Sequence, residues 1–268
     1  MLKRLLLIGA AGGVGRAIRP MLKDIADHVI ISDIGEITDA GSNETFIRCD
    51  LADAQGVAKL LDGIDGIIHL GGISTEKKFE LILQGNIVGL YNLYEAARHN
   101  GLPRIVFASS NHVIGYYRRD ERLDNMVVPK PDSLYGASKV FGEAIASLYF
   151  EKFGQETLSV RIGSCFEKPV NTRMLATWLS YRDFFSLCQR AFAAPRIGHT
   201  VVYGASANDE QWWDNSNAAF LGWKPQDNSA KWRAEVEAAA GKEDPTDPAV
   251  IYQGGGFASA GHPDDTGK

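Results

Sequence analysis

Cysteine is scarce: the 268 residues hold three, Cys49, Cys165 and Cys188, far apart and odd in number. Such a set suits neither a disulfide framework nor metal-ligand spacing, so reduced thiols in a cytoplasmic protein are expected, and no metal site. Basic charge is not in excess, since 28 Lys and Arg face 33 Asp and Glu for a formal net charge of −5. Without a broad positive field, nucleic acid is not an expected partner. An anionic ligand must then be held by one locally placed Arg or Lys. Long apolar runs are missing too. None approaches the roughly 20 residues of a membrane span, and residues 5–8 fall short of the roughly 7–15-residue apolar core of a signal peptide. The expectation is a cytoplasmic chain with no membrane partner, whose first strand begins at once.

What is present is the composition of an ordinary globule, 45% hydrophobic and 23% charged, ample for one large core. Apolar segments of strand length recur at 5–8, 29–31, 45–47, 66–70, 104–108 and 158–162. Most are continuous rather than alternating, as a parallel sheet covered on both faces requires. Between them, 13–26, 54–61, 79–99 and 134–153 carry apolar residues at helical spacing. The alternation predicts an α/β fold, a doubly wound parallel sheet with its ligand crevice at the carboxyl ends of the strands. Pro20 lies inside the first helical segment and predicts a kink or an early end there. Beyond residue 162 the regularity fades, with one strand-like piece at 200–203. The segment 241–268 holds six Gly and three Pro and is expected to be an extended or frayed tail.

Chemistry enters with Gly9-Ala10-Ala11-Gly12-Gly13-Val14-Gly15, a G-x-x-G-x-x-G run between the first strand and first helix. Glycine there permits a tight turn and close approach of backbone N–H groups to a pyrophosphate, beside a helix N-terminus. A glycine run alone marks a plain turn as readily; its placement is what carries the reading. Asp33, with Ile34 after it, ends the second strand, where a carboxylate accepts from both ribose hydroxyls of an adenosine. No Arg or Lys follows closely to pair a 2′-phosphate, so NAD is expected over NADP. Asp50-Leu51, after the third strand, is placed to flank the adenine.

Tyr135 and Lys139 share a face at i, i+4 near the start of the helix at 134–153. With 9 Tyr and 13 Lys, chance alone supplies about 0.4 such pairs. The order of elements gives it weight: glycine loop, then Ser109-Ser110-Asn111 at the end of the fifth strand, then Tyr-x-x-x-Lys on the next helix. A tyrosine acting as base near neutral pH needs its pKa lowered by roughly 3 units, ~4 kcal/mol. One ammonium at about 4 Å supplies on the order of that. Lys139, aided by the positive nicotinamide ring of the expected cofactor, is therefore expected to lower the Tyr135 phenol, with Ser110 holding the reacting oxygen.

These motifs, with His69-Leu70-Gly71-Gly72, Asn86, Gly89 and Leu221-Gly222-Trp223-Lys224-Pro225, identify the chain as resembling the short-chain dehydrogenase/reductase superfamily, in its extended, sugar-epimerase-like branch. The resemblance spans nearly the whole sequence and implies a Rossmann fold, NAD as cofactor and catalysis by Ser110, Tyr135 and Lys139. It adds Leu70, Gly71, Gly72 and Ser164 to the cofactor contacts. Within the branch, Gly71-Gly72-Ile73-Ser74, Ser109-Ser110-Asn111-His112, Arg161-Ile162-Gly163-Ser164-Cys165 and Trp212-Trp213-Asp214-Asn215 are similar to bacterial members that oxidise free hexuronic acids, glucuronate or galacturonate, at C1 to an aldaric acid lactone. That likeness implies Arg173 as partner of the substrate carboxylate, with Arg182 as the alternative. It also implies Ser74, Asn111, His112 and Ser164 as contacts of sugar hydroxyls. Gly13 departs from the pattern, which has a polar side chain there.

The implied organisation is a cofactor-binding core at 1–165, a small substrate-binding region at 166–240, and the tail at 241–268. The branch also implies a homo-oligomer built on the helices at 79–99 and 134–153. Two rival functions remain: a sugar epimerase or dehydratase that reoxidises its own NADH, and a non-catalytic dinucleotide-binding regulator, for which a tuned base would be superfluous.

Overall fold

Strand β1 (Leu2–Ile8) shows why the sheet forms: Leu5, Leu6, Leu7 and Ile8 are all buried, Leu5 and Leu7 in one apolar cluster and Leu6 and Ile8 in another. Alternate side chains of one strand thus feed two cores, each fully buried leucine being worth about 1.5–3 kcal/mol. The computed structural model describes residues 1–265. After β1 come α1 (Gly13–Ile18), β2 (Ala26–Asp33), β3 (Glu44–Arg48), α2 (Ala54–Leu60), β4 (Gly66–His69), α3 (Phe79–Ile82), α4 (Gly89–His99), β5 (Arg104–Ser110), α5 (Leu134–Phe153) and β6 (Thr157–Ile162). Then follow β7 (Ser164–Cys165), α6 (Met174–Thr177), β8 (Trp178–Leu179), α7 (Tyr181–Ala193), β9 (His199–Gly204), α8 (Arg233–Ala240), α9 (Pro248–Ile251) and α10 (Gly256–Ser259).

Seven strands form one parallel sheet in the order β3-β2-β1-β4-β5-β6-β9. The expected Rossmann-like α/β fold is therefore present. Growth of the sheet reverses at β1, which pairs with both β2 and β4, and opens a crevice at their carboxyl ends. One core cluster includes Val106, Leu158, Phe184 and Leu187; the other joins Ile67, Ile105 and Phe107 to Leu90, Leu93, Tyr94, Ala146 and Tyr149 of α4 and α5.

Four local details differ from or sharpen the sequence expectations. Helix α1 stops at Ile18 and continues as a 3₁₀ turn, Arg19–Asp24, with Pro20 in its first positions; proline has no N–H for an α-helical bond. The helix expected over 79–99 is broken into α3 and α4 by a π-helical turn at Leu83–Val88. The strand-like piece at 200–203 is β9, a full member of the main sheet. The fourth is a correction: residues 248–260 are not an extended or frayed tail, because α9, α10 and the turn between them pack on the protein, with Gln253, Gly254 and Gly255 buried. Positions 266–268 of that segment lie outside the described residues.

Among the described residues no helix is long and apolar enough to cross a membrane, and no group of three His, Cys, Asp or Glu is placed to hold a metal ion.

Candidate active site

The glycine loop closes the crevice at the end of β1. Gly9 has φ +82°, and a Cβ there would lie 2.7 Å from Gly71 N; one on Gly15 would lie 2.3 Å from Gly9 O. Both positions exclude any side chain, the first by conformation and contact, the second by contact alone. Gly13 is different, with nothing within 4 Å of an added Cβ. Asp33 is anchored to this loop: its Oδ2 accepts from Ala11 N and its Oδ1 from Gly35 N, both at 2.9 Å. The carboxylate so held keeps further acceptor capacity for hydroxyl donors. Ile34 and Asp50 are exposed, Leu51 is buried, and Asp50 Oδ1 accepts from Ala52 N at 2.9 Å. Beside β1, Leu70 and Gly71 are half-buried and Gly72 turns at φ +105° over Asn86. Asn86 braces this corner, accepting from Ile73 N at 2.7 Å and donating to Ile73 O and Ser138 Oγ. A bare backbone cradle next to an oriented carboxylate fits an adenine dinucleotide.

Helix α5 carries Tyr135 and Lys139. Ser133 caps it by accepting from Gly136 N, and the Glu76 carboxylate accepts from Leu134 N and Tyr135 N at 3.1 and 2.9 Å. Glu76 thus ties the loop that bears Ser74, itself exposed, to the helix end that bears Tyr135. Tyr135, Lys139 and Ser110 are all buried. Lys139 Nζ donates to Ala108 O at 2.8 Å and sits 5.6 Å from the centre of the Tyr135 ring. Burial lowers Lys139 to about 8.

The phenol of the free protein sits high. Tyr135 is pushed up to about 12, first by burial and further by Asp132, against a hydrogen bond from Ser110 that favours the charged form. Desolvation is the largest cause of the rise, and positive charge brought close to the phenol acts in the opposite direction.

Around Tyr135 the structure gathers the remaining polar residues. His112 Nδ1 pairs with Asp132 Oδ2 at 2.8 Å, and its ring stacks on Phe257 at 3.9 Å between centroids. Arg173 Nε donates to Gln253 O at 2.7 Å and its Nη1 to Ser164 Oγ at 3.2 Å; Ser164 also meets Thr177 Oγ1 at 3.0 Å. Among the described residues, Arg173 Nη2 and Asn111 Oδ1 are buried without a hydrogen-bond partner. Burial, with the nearby cation Arg119, lowers Arg173 to about 10. Among the described residues Arg173 makes no ion pair, whereas Arg182 is exposed and paired with Asp227 at 2.9 Å. The alternative arginine is thus already occupied away from the site. An open buried donor or acceptor of this kind is completed by ordered water, an ion or a ligand.

Behind β5 a second set holds the frame. Arg161 makes a two-point pair with Glu143 at 2.9 and 2.8 Å, Ser109 Oγ donates to Glu143 Oε1 at 2.6 Å, and Arg161 Nη1 donates to Tyr203 Oη at 3.1 Å. Trp213 stacks on Tyr203 at 5.0 Å, so it packs as core. A cavity of about 380 Å³, lined by Tyr203, Trp213, Arg122, Trp212, Trp223 and Lys224 among others, includes none of the residues gathered around Tyr135.

Sequence reasoning missed Glu76, Asp132, Glu143, Gln253 and Phe257. A carboxylate two residues after Ser74 and a polar residue inside an apolar helix were visible signals for Glu76 and Glu143. Nothing local marked Gln253 or Phe257.

Residues 5–179 match the NAD dependent epimerase/dehydratase family. The chain is 57% identical over 256 residues to a uronate dehydrogenase of Agrobacterium fabrum, covering 96% of this chain and 97% of that protein. A crystal structure of a glucuronic acid dehydrogenase from Chromohalobacter salexigens superposes with a TM-score of 0.98 at 63% identity, covering 99% of this chain and all of that one. A tyrosine-to-alanine mutant of uronate dehydrogenase from Agrobacterium tumefaciens, complexed with NAD, superposes with a TM-score of 0.95 at 55% identity, covering 97% and 98% of the two chains.

Proposed function

Because the chain belongs to the NAD dependent epimerase/dehydratase family and is an NAD-dependent oxidoreductase, we propose that it oxidises a free hexuronic acid at C1 to the aldaric acid lactone. The observation that carries the substrate is the open Arg173 Nη2 beside the open Asn111 Oδ1. A carboxylate accepts from the first and a sugar hydroxyl donates to the second. The uronate dehydrogenases to which the chain is similar support this reading.

The glycine loop and Asp33 hold the nucleotide, with Leu70, Gly71 and Gly72 flanking it. When bound, NAD supplies the hydride acceptor for the C1 hydrogen and one further positive charge. Ser110 hydrogen-bonds the C1 oxygen and keeps it in line with Tyr135 Oη. Tyr135 takes the hydroxyl proton as the C1–O single bond becomes the lactone carbonyl. Lys139 opposes the desolvation of the phenol: an ammonium 5.6 Å away contributes on the order of 3 kcal/mol at an effective dielectric near 20. Asn111, His112, Ser164 and Ser74 face the sugar hydroxyls, with Asp132 fixing the His112 ring.

The test is to follow NADH absorbance with purified protein, NAD and a panel of uronic acids, neutral aldoses and nucleotide-sugars. Turnover of uronic acids is expected. Turnover of neutral sugars alone would remove the role given to Arg173, and tightly held cofactor with no net NADH would favour an epimerase or dehydratase. Arg173→Ala is expected to raise the KM for glucuronate about 30-fold, roughly 2 kcal/mol, with kcat and the KM for NAD little changed.

A further inference from the structure

Gln253 is fully buried although it lies in the Gly- and Pro-rich segment. Its Oε1 accepts from Trp213 Nε1 at 2.8 Å, and its Nε2 donates to the carbonyls of Arg118 and Glu121, each at 2.9 Å. Its N–H donates to Tyr117 O at 2.8 Å. The anchored residue then presents its carbonyl to the substrate end, where Arg173 Nε donates to it at 2.7 Å and Asn111 Nδ2 makes a long 3.5 Å contact. A guanidinium is flat and rigid, so two fixed nitrogens determine where the third points. With Nε on Gln253 O and Nη1 on Ser164 Oγ, the buried and unpartnered Nη2 is aimed before any ligand arrives. Such preorganisation removes ordering cost from binding.

We infer that Gln253 is a positioning residue: its side-chain anchorage fixes the carbonyl that aims Arg173 at the substrate carboxylate. This rests on the reading of Arg173 as the carboxylate's partner. Gly255 supplies an independent constraint on the same arginine. It has φ +64°, and a Cβ there would lie 2.6 Å from Arg173 Cδ and 3.0 Å from Nε. Only glycine lets the guanidinium stem lie against this turn.

Steady-state kinetics of the full chain with glucuronate and NAD test the inference. Gln253→Ala is expected to raise the KM for glucuronate about tenfold, equivalent to about 1.4 kcal/mol, while kcat and the KM for NAD stay within about threefold. General loosening of the fold would weaken both ligands together. Gly255→Ala removes no atom of Gln253 but drives a methyl into Arg173, and the same split is expected. It is the variant read if Gln253→Ala loses its cooperative thermal transition. A glucuronate KM within about twofold of the wild type in either folded variant, where Arg173→Ala raises it at least tenfold, overturns the inference. If Arg173→Ala itself leaves KM unchanged, the carboxylate reading has failed and the inference falls with it.

Discussion

Replacing Tyr135 by phenylalanine is expected to lower kcat by about 10²–10⁴-fold, the range general-base catalysis supplies, without loss of NAD binding. The change removes one oxygen. The ring keeps its edge contact with His112 at 5.7 Å and its neighbour Phe257 at 6.0 Å, so the packing that holds the site survives. The cradle formed by Gly9, Gly15 and Asp33 is untouched. Turnover followed by NADH absorbance, together with NAD affinity from quenching of tryptophan fluorescence, separates the two effects. A variant that keeps a tenth or more of wild-type turnover, against the roughly hundredfold minimum expected of a lost base, takes Tyr135 out of its assigned role.

The largest loss of stability is expected at Glu143, not at a residue that meets substrate. Glu143→Ala strands Arg161, 3% exposed, as a buried charge, and leaves Ser109 Oγ without its acceptor. Breaking one side of such a pair costs about 3–5 kcal/mol, a fall in Tm of roughly 10 °C for a chain of this size. Differential scanning calorimetry reads it directly. Glu143→Leu combined with Arg161→Met is expected to recover most of the loss, since an apolar pair has no charge to desolvate. A Tm for Glu143→Ala within about 2 °C of the wild type, when ~10 °C is expected, would show that the pair contributes little.

The sheet and the two ends of its crevice were legible because their causes are local. Continuous apolar strands announce two covered faces, Gly9 marks a turn and Gly15 a close approach that no other residue fits, and Pro20 marks where α1 must stop. The π-turn at Leu83–Val88 was not legible in the local pattern, and the contacts its Asn86 makes with Ile73 and Ser138 join residues distant in sequence. The sign of the Tyr135 shift was hidden for the same reason: spacing reports the ammonium but not the depth at which the phenol is buried. Composition misread the segment around 253. Glycine and proline there signal close approach rather than slackness, for a Cβ on Gly254 would strike Asp132 Oδ2 at 1.8 Å.

That segment sets an order of assembly. Tyr135 and Lys139 leave the ribosome long before Gln253 and Phe257, and at about 5–20 residues per second the interval is on the order of ten seconds. During translation Arg173 therefore gains its contacts with Gln253 and Gly255 only after nearly the whole described chain has been made.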